Sequence, residues 1–304
     1  MLHRKTTALL LSLFAMAGML LTACGGGQAQ ATHVTVGSKE FTEQYLLGNM
    51  YTMLLKDAGY DAEYTSLAGT SEAQDALVNG DINMYPEYTG TALLTQLGMS
   101  YDPSMSSQDV YDTVKKEYLD KYNLVWLQPT KFNNTYCLAM PKDKADSMGI
   151  NTVSDLSKKA DQLVFGTTQE FTERDDGLPG LKKVYGGFNF KEVRALDPGL
   201  KYSGVQSGDI DVTTCFGTDG QIAAYNLKVL KDDKNFWPPY PVAPVVRKDL
   251  LDAHPDIADT LNKLAPMLDG ATMSQLNWEV DGNSREPDEV AREFLQQQGL
   301  ISTQ

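Results

Sequence analysis

Histidine, cysteine and tryptophan are scarce in this chain, with three of each among 304 residues. The histidines (His3, His33 and His254) have no spacing typical of metal ligands, and the cysteines form no cluster typical of zinc or iron sites. The sequence also has no nucleophile beside a base, no phosphate-binding loop and no acid pair in a recognisable motif. We therefore expect no metal, no cofactor, no catalytic residues and no enzymatic activity.

Positive charge is also in short supply. There are 26 lysines and arginines against 40 aspartates and glutamates, which gives a formal net charge of −14. Such a surface repels nucleic acid and anionic lipid, so we expect neither as a binding partner. The net charge says little about a small ligand, because a pocket has its own local charge.

The sequence has no apolar run as long as the roughly 20 residues that a membrane-spanning helix needs. The run from Ala8 to Leu21 is shorter, follows basic residues and ends in Leu21-Thr22-Ala23-Cys24, which predicts an export signal over residues 1–23. The small residues before Cys24 resemble the lipobox of bacterial lipoproteins. The resemblance implies acylation of Cys24, a flexible tether over residues 24–32 and an extracytoplasmic protein anchored to the cell membrane. The alternative is a buried cysteine that follows a spanning helix.

Two further cysteines, Cys137 and Cys215, lie in the part that folds. Export permits a disulfide between them. Two interior cysteines are as often separate small apolar side chains, so the sequence leaves their pairing open.

Short alternating or β-branched segments are separated by helical patterns, which is typical of an α/β fold. The predicted strands include His33–Val36, Tyr64–Leu67 and Asp81–Tyr85, and the predicted helices include Phe41–Ala58 and Ser71–Val78. After about residue 248 the pattern is purely helical, with apolar faces suited to packing on one lobe.

An internal repeat predicts two lobes of the same plan. Gly37–Gln44 (GSKEFTEQ) is answered by Gly166–Arg174 (GTTQEFTER), and Gly80–Asn83 (GDIN) by Gly208–Asp211 (GDID). In both pairs the second segment follows the first by close to 130 residues. Chance alone explains either short match by itself. The loops at the strand ends of two such lobes face each other across a cleft, which is where ligands bind.

Four aromatic residues fall in segments predicted to border this cleft: Tyr88, Tyr136, Phe216 and Tyr240. Several π faces turned toward one point hold a cation that cannot donate hydrogen bonds, such as a quaternary ammonium, with about 0.5–2 kcal/mol from each face. The alternative for each ring is half-buried packing between the lobes.

Arg174 lies in a cleft loop of the second lobe, where its planar fork is suited to a carboxylate. The alternative is a surface arginine paired with Asp175 or Asp176. Several glutamates lie in or near the cleft loops, but the helix dipole favours acids in any first turn, and we assign them no role. These are Glu40, Glu43, Glu87, Glu170 and Glu173.

Taken in order, the motifs resemble the compatible-solute-binding proteins of ABC importers for glycine betaine, choline and carnitine. The similarity spans nearly the whole chain after the export signal. The matching segments are 37–44 (GSKEFTEQ), 85–91 (YPEYTGT), 134–136 (NTY), 218–220 (TDG) and 238–240 (PPY).

The resemblance implies a two-lobed periplasmic-binding-protein fold of type II with a ligand cleft between the lobes. Lobe 1 would comprise residues 33–131 and 241–304, and lobe 2 residues 132–240, with hinge closure near residues 131 and 240. The chain would act as a monomer that captures a quaternary ammonium solute and delivers it to an ABC permease in the membrane.

The resemblance also places the site residue by residue. The family's aromatic cage falls on Tyr88, Tyr136, Phe216 and Tyr240, and its carboxylate contacts fall on Arg174, Thr91 and Lys39, with Gln44 as a weaker candidate. A position that is acidic in some members falls on Asn134, and the cage position at Phe216 is commonly a tyrosine. These two departures leave the ligand open among glycine betaine, carnitine, choline and similar solutes.

Three other functions stay open on the same fold. One is the binding of another zwitterion, such as ergothioneine or an amino acid. The others are those of a lipid-anchored hydrolase and of a sensory lipoprotein that signals occupancy to a membrane partner.

Overall fold

The computed structural model describes residues 31–302. The predicted signal peptide and Cys24 lie outside the described residues, as does the tether apart from its last two positions. Among the described residues no helix is long and apolar enough to cross a membrane. One compact unit begins at His33.

The first of two sheets is built mostly from the N-terminal part of the chain. Its strands are β1 (His33–Lys39), β2 (Asp61–Leu67), β3 (Met84–Tyr88), β4 (Leu124–Trp126) and β10 (Val242–Arg247). They lie in the order β2-β1-β3-β10-β4, with β1 parallel to β2 and β3 and with β10 antiparallel to β3 and β4. The helices between them are α1 (Thr42–Asp57), α2 (Thr70–Asn79) and α3 (Ser107–Tyr122).

The second sheet comes from the middle of the chain. Its strands are β5 (Tyr136–Pro141), β6 (Val164–Thr167), β7 (Glu192–Ala195), β8 (Val212–Phe216) and β9 (Leu227–Val229). They lie in the order β7-β6-β8-β5-β9, with β6 parallel to β7 and β8 and with β5 antiparallel to β8 and β9. The helices are α4 (Lys142–Ser147), α5 (Val153–Ser157), α6 (Gln169–Glu173), α7 (Leu178–Tyr185), α8 (Leu200–Ser207) and α9 (Gln221–Ala224).

The two sheets therefore share one plan, in which β6, β7 and β8 of the second correspond to β1, β2 and β3 of the first. The predicted α/β fold with two lobes of the periplasmic-binding-protein type is confirmed. Each Gly-Asp-Ile motif occupies the same place in its lobe, because Gly80 ends α2 and Gly208 ends α8 in the left-handed conformation (φ 87° and 80°). Glycine adopts this conformation without steric cost and commonly terminates helices there.

The two repeated motifs also pack against each other within each lobe. A Cβ atom at Gly37 would lie 2.5 Å from the Ile82 side chain, and one at Gly166 would lie 2.3 Å from Ile210. Ile82 and Ile210 are both buried. The repeat therefore preserves a close contact between β1 and the isoleucine that precedes β3 in the first sheet, and between β6 and the isoleucine that precedes β8 in the second.

The predicted strand Asp81–Tyr85 is wrong by about three residues, since β3 spans Met84–Tyr88. The N–H groups of Gly80, Asp81 and Ile82 all bond to the carbonyl of Ala76. These residues therefore complete the end of α2 before the strand begins.

Four helices follow β10, as the purely helical pattern predicted: α10 (Lys248–Ala253), α11 (Asp256–Asn262), α12 (Gly270–Asp281) and α13 (Pro287–Gln297). Of these, α11, α12 and α13 pack on α1, which places them beside the first sheet. The chain passes between the sheets twice, between β4 and β5 and between β9 and β10. The predicted hinges near residues 131 and 240 fall in these two connections.

A disulfide joins Cys137 of β5 to Cys215 of β8, which settles the pairing that the sequence left open. The two residues lie directly opposite each other in the antiparallel ladder, next to the pair Tyr136 and Phe216. The bond therefore joins β5, which begins at Tyr136, to β8, which ends at Phe216.

Candidate ligand-binding cleft

A cavity of about 590 Å³ lies between the loops of the two sheets, within the size range of small-molecule sites. It is lined by side chains that follow β1 and β3 of the first sheet and β6 and β8 of the second. The structure brings all eight predicted ligand residues together on its wall: Lys39, Tyr88, Thr91, Asn134, Tyr136, Arg174, Phe216 and Tyr240.

Tyr136 is in contact with two of the other predicted aromatic residues. Its ring centroid lies 4.9 Å from that of Phe216 and 5.8 Å from that of Tyr240, with an interplanar angle of 88° to Tyr240. Tyr88 joins the group through Phe41, whose centroid lies 6.2 Å from Tyr88 and 5.7 Å from Phe216. The aromatic side chains thus form a connected set on the cavity wall.

Phe41 was not among the predicted site residues, although it also lines the cavity. The internal repeat contained the signal, because Phe41 corresponds to Phe171 in the second Glu-Phe-Thr-Glu segment. Phe171 is buried and lies 5.2 Å from the Tyr136 ring. Each repeat therefore places one phenylalanine against the aromatic set.

The tyrosines of this set are largely removed from solvent. Tyr88, Tyr136 and Tyr240 are at most 9% exposed. Burial raises the pKa of each phenol above its usual value, so all three stay neutral near pH 7. Gly90 permits the close approach of Tyr240, since a Cβ at this position would lie 2.6 Å from the ring.

Arg174 is buried, so the alternative of a surface arginine is wrong. The pairing with Asp176 that this alternative included is present. Its Nε and Nη2 donate to the two oxygens of Asp176, both at 2.6 Å. Nη1 also donates to Glu170 at 3.0 Å. Across the cleft, Nη1 lies 3.3 Å from Oγ1 of Thr70, and Nη2 lies 3.4 Å from Oγ1 of Thr91.

Lys39 forms a buried ion pair with Glu87, with 2.6 Å between Nζ and Oε1. Its ammonium also lies 5.4 Å from the centroid of Tyr88. Gln44 does not line this cavity, because its amide bonds to the backbone of Lys39 and of Pro86. The weaker prediction of Gln44 as a ligand contact is therefore not supported by its position.

Glu43 is a buried carboxylate behind the aromatic set. Its Oε1 accepts hydrogen bonds from the hydroxyl of Tyr88 at 2.7 Å and from Nδ2 of Asn134 at 2.8 Å. Its Oε2 accepts one from Oγ1 of Thr218 at 2.6 Å. Burial raises the pKa of Glu43 to about 7. The helix dipole accounts for an acid at this position of the sequence but does not reveal these contacts.

Among residues 31–302 no group of three or more histidine, cysteine, aspartate or glutamate side chains is arranged to hold a metal ion. The cavity offers aromatic faces, two basic groups, hydroxyls, amides and the carboxylates of Glu40, Glu170 and Asp197. Such a wall can hold a small ion with charges of both signs.

The chain matches the family model described as the substrate binding domain of ABC-type glycine betaine transport system over residues 32–297. A glycine-betaine-binding protein of Pseudomonas aeruginosa is 37% identical over 297 residues, covering 93% of this chain and 94% of that protein. An ergothioneine transport permease/ergothioneine binding protein of Helicobacter pylori is 35% identical over 300 residues, covering 98% of this chain and 53% of that longer protein.

Solved structures agree with these sequence matches. The crystal structure of a glycine betaine/carnitine/choline ABC transporter superposes with a TM-score of 0.72 at 33% sequence identity. The match covers 88% of this chain and 100% of that chain.

Proposed function

Because the chain belongs to the family of substrate-binding domains of ABC-type glycine betaine transport systems, we propose that it captures a quaternary ammonium solute in the cleft and delivers it to an ABC permease. The observation that most directly supports the ligand class is the set of four aromatic rings on one cavity, beside two basic side chains. The family is one of transport proteins, and we propose that this chain likewise has no enzymatic activity.

The trimethylammonium end of the ligand would lie among Tyr88, Tyr136, Phe216 and Tyr240. A quaternary ammonium has no N–H group, so hydrogen-bond acceptors cannot recognise it, whereas π faces attract it electrostatically. Three of the four rings are nearly inaccessible to solvent, which strengthens the attraction because water does not screen it. Phenylalanine at position 216 keeps the π face that this role requires.

The carboxylate end would lie at Arg174, with Thr91 and Lys39 beside it. Asp176 occupies the Nε–Nη2 edge of the guanidinium. On the other edge, Nη1 donates to Glu170 at 3.0 Å, and the contacts that cross the cleft are the long ones of 3.3 and 3.4 Å to Thr70 and Thr91. A ligand carboxylate can replace these with two shorter, charge-assisted hydrogen bonds.

A ligand that carries both a trimethylammonium group and a carboxylate uses the whole site, so we propose glycine betaine or carnitine ahead of choline. Choline would fill the cage and place no carboxylate at the edge of Arg174 that contacts Thr70 and Thr91. Ergothioneine is a second candidate, because it is a betaine. The Helicobacter pylori relative that is named for ergothioneine also aligns with 98% of this chain.

We also propose the domain boundaries and the membrane anchor. Lobe 1 comprises residues 33–131 and 241–304 and lobe 2 comprises residues 132–240, which is supported by the change of sheet between β4 and β5 and between β9 and β10. The anchor is a lipid on Cys24, supported by Leu21-Thr22-Ala23-Cys24. Labelling of growing cells with a fatty acid would test it, since wild-type protein should take up label and Cys24→Ala should not.

The ligand is tested by calorimetric titration of the protein from residue 25 onward. The panel comprises glycine betaine, carnitine, choline and ergothioneine, with ordinary amino acids as controls. We expect micromolar or tighter binding of at least one trimethylammonium zwitterion. Tyr240→Ala should weaken it at least tenfold, or about 1.4 kcal/mol, because one face of the cage is lost.

Tyr122→Ala is the matched control, since Tyr122 is a partly buried tyrosine outside the cavity whose hydroxyl bonds to Gln96. It should bind like the wild type. Binding of none of the trimethylammonium ligands by a folded, ligand-free protein would contradict the proposal. Hydrolysis of a choline ester would favour the hydrolase instead, and docking to a membrane receptor rather than a permease would favour the sensory role.

A further inference from the structure

Glu43 is the point at which four separate segments of the chain meet, yet the proposed ligand contacts give it no role. It lies in the first turn of α1 and is 3% exposed. Of its partners, Tyr88 ends β3 and Asn134 lies in the connection from β4 to β5. Thr218 follows β8 of the second sheet, and Nδ2 of Asn277 in α12 lies 3.4 Å from Oε2. Glu43 therefore links Tyr88 of lobe 1 to Asn134 and Thr218 of lobe 2.

All four partners donate to Glu43. An ionised carboxylate only accepts hydrogen bonds, so its two oxygens suit these donors. A protonated Glu43 would have to donate its own proton, which would break or reverse at least one of the four contacts. The hydrogen bonds favour the ionised form and burial favours the neutral form, and a pKa of about 7 means that both forms are populated near neutral pH.

Other charged groups lie near Glu43 and contribute to the electrostatic potential at its carboxylate. Asp219, next to Thr218, raises its pKa further. Lys201 of α8 lies 3.8 Å from Asp219, and Asp281 of α12 accepts hydrogen bonds from Thr42 and Gln221. Glu43 and these three charged residues line a second cavity of about 460 Å³, which shares Phe41, Asn134 and Phe216 with the first.

We propose that Glu43 is a positioning residue whose ionised form joins Tyr88 of lobe 1 to Asn134 and Thr218 of lobe 2 and holds Tyr88 and Asn134 for the ligand, so that binding requires its ionisation. This inference rests on the proposed function and adds a residue that does not itself touch the ligand. A cation in the cage lies beside Tyr88 and Asn134 and favours a negative charge behind them. Ligand binding should therefore expel a proton from Glu43, and acid should weaken binding.

The test is the affinity for glycine betaine, or for the tightest ligand of the panel, measured by calorimetry between pH 5.5 and 8.5. For the wild type we expect binding about tenfold weaker at pH 6 than at pH 8, because the ionised fraction of a group with a pKa of about 7 falls by about that factor between these pH values. Titrations at pH 7 in buffers with different ionisation enthalpies should show net proton release on binding.

Glu43→Gln should bind about tenfold more weakly than the wild type at pH 8, since its amide nitrogen faces donors and its charge is gone. Its affinity should be nearly constant between pH 6 and 8. Glu72→Gln is the matched control, because Glu72 is an exposed acid in the first turn of α2. It should follow the wild-type profile at all pH values.

Several outcomes would overturn the inference. One is a wild-type profile without pH dependence, and another is a profile that persists in Glu43→Gln, which would assign the titration to a different group such as Asp281. If Glu43→Gln does not fold, Thr218→Val decides. It removes a hydroxyl that bonds to Glu43 and lies 3.0 Å from Oδ1 of Asn134, and it should weaken binding at pH 8; unchanged affinity would contradict the inference. A wild type that binds no quaternary ammonium at any pH would remove the proposed function and this inference together.

Discussion

Asp176 pairs with Arg174 along one edge of the guanidinium and accepts a hydrogen bond from Tyr240 at 2.8 Å through the same carboxylate. One buried aspartate thus orients both the arginine proposed for the ligand's carboxylate and a ring of the proposed cage. It also compensates the charge of Arg174 inside the cleft. Asp176 is only 2% exposed, so water does not replace it easily.

Asp176→Asn should change ligand selectivity. It removes a negative charge, which makes the cleft more positive and disfavours a ligand that carries only a cation. We expect the ratio of the choline Kd to the glycine betaine Kd to rise by about fivefold. Calorimetric titration of both ligands measures this ratio. Breaking the buried pair should also lower the free energy of unfolding by about 3–5 kcal/mol.

Asp175→Asn is the matched control for that change, because Asp175 is the neighbouring acid and is exposed. Its selectivity and stability should match those of the wild type. Equal losses of affinity for both ligands in Asp176→Asn would contradict a charge effect and indicate a general distortion of the cleft.

Gly90→Ala should displace a cage ring without removing it. The new methyl group would lie 2.6–2.8 Å from three ring atoms of Tyr240, which forces the ring to move. We expect the affinity for glycine betaine to fall at least tenfold while the protein stays folded, as measured by calorimetry and circular dichroism. Gly270→Ala is the control, since a Cβ there meets nothing within 4 Å. Wild-type affinity in Gly90→Ala would show that Tyr240 is not held against the ligand.

Residues whose roles are set by local backbone geometry could be predicted from the sequence. Gly80 and Gly208 end helices in the left-handed conformation, and Gly37 and Gly166 admit the side chains of Ile82 and Ile210. These geometric requirements strongly restrict the residue type at each position, so the same residues occur in both lobes and form a repeat that can be recognised in the sequence. The two-lobed plan follows from them.

Contacts between segments that are distant in the sequence were harder to predict from the sequence. The contacts of Glu43 with Thr218 and Asn277 join residues that are far apart in sequence, and acids in first turns are common for other reasons. Phe41 lies in the repeat, but its contact with Phe216 depends on how the two lobes face each other. The sequence pattern predicted that the four aromatic residues border the cleft, and the family resemblance assigned them to the proposed cage.

Reduction of the disulfide between Cys137 and Cys215 should destabilise the protein. The bond closes a loop with a sequence separation of 78 residues, and cross-links of this length typically contribute about 2–5 kcal/mol to the free energy of unfolding. Urea unfolding of the oxidised protein, the reduced protein and the Cys137→Ser/Cys215→Ser double variant measures the loss. The reduced protein and the double variant should agree. Equal stability of all three would mean that the bond constrains the unfolded chain little.

The stability of the ligand-free protein should depend on pH through Glu43. Because its pKa is about 7 in the folded protein against an ordinary value of 4.5, the folded state binds the proton more tightly than the unfolded state. Its contribution to stability is therefore greatest below pH 4.5 and declines as the pH rises toward 7. Between pH 5 and 8 the wild type should lose about 2–3 kcal/mol relative to Glu43→Gln. Urea unfolding of both proteins at the two pH values measures this difference, with Glu72→Gln expected to follow the wild type. A difference that does not change with pH would mean that Glu43 is ionised throughout the range and that its four donors outweigh its burial.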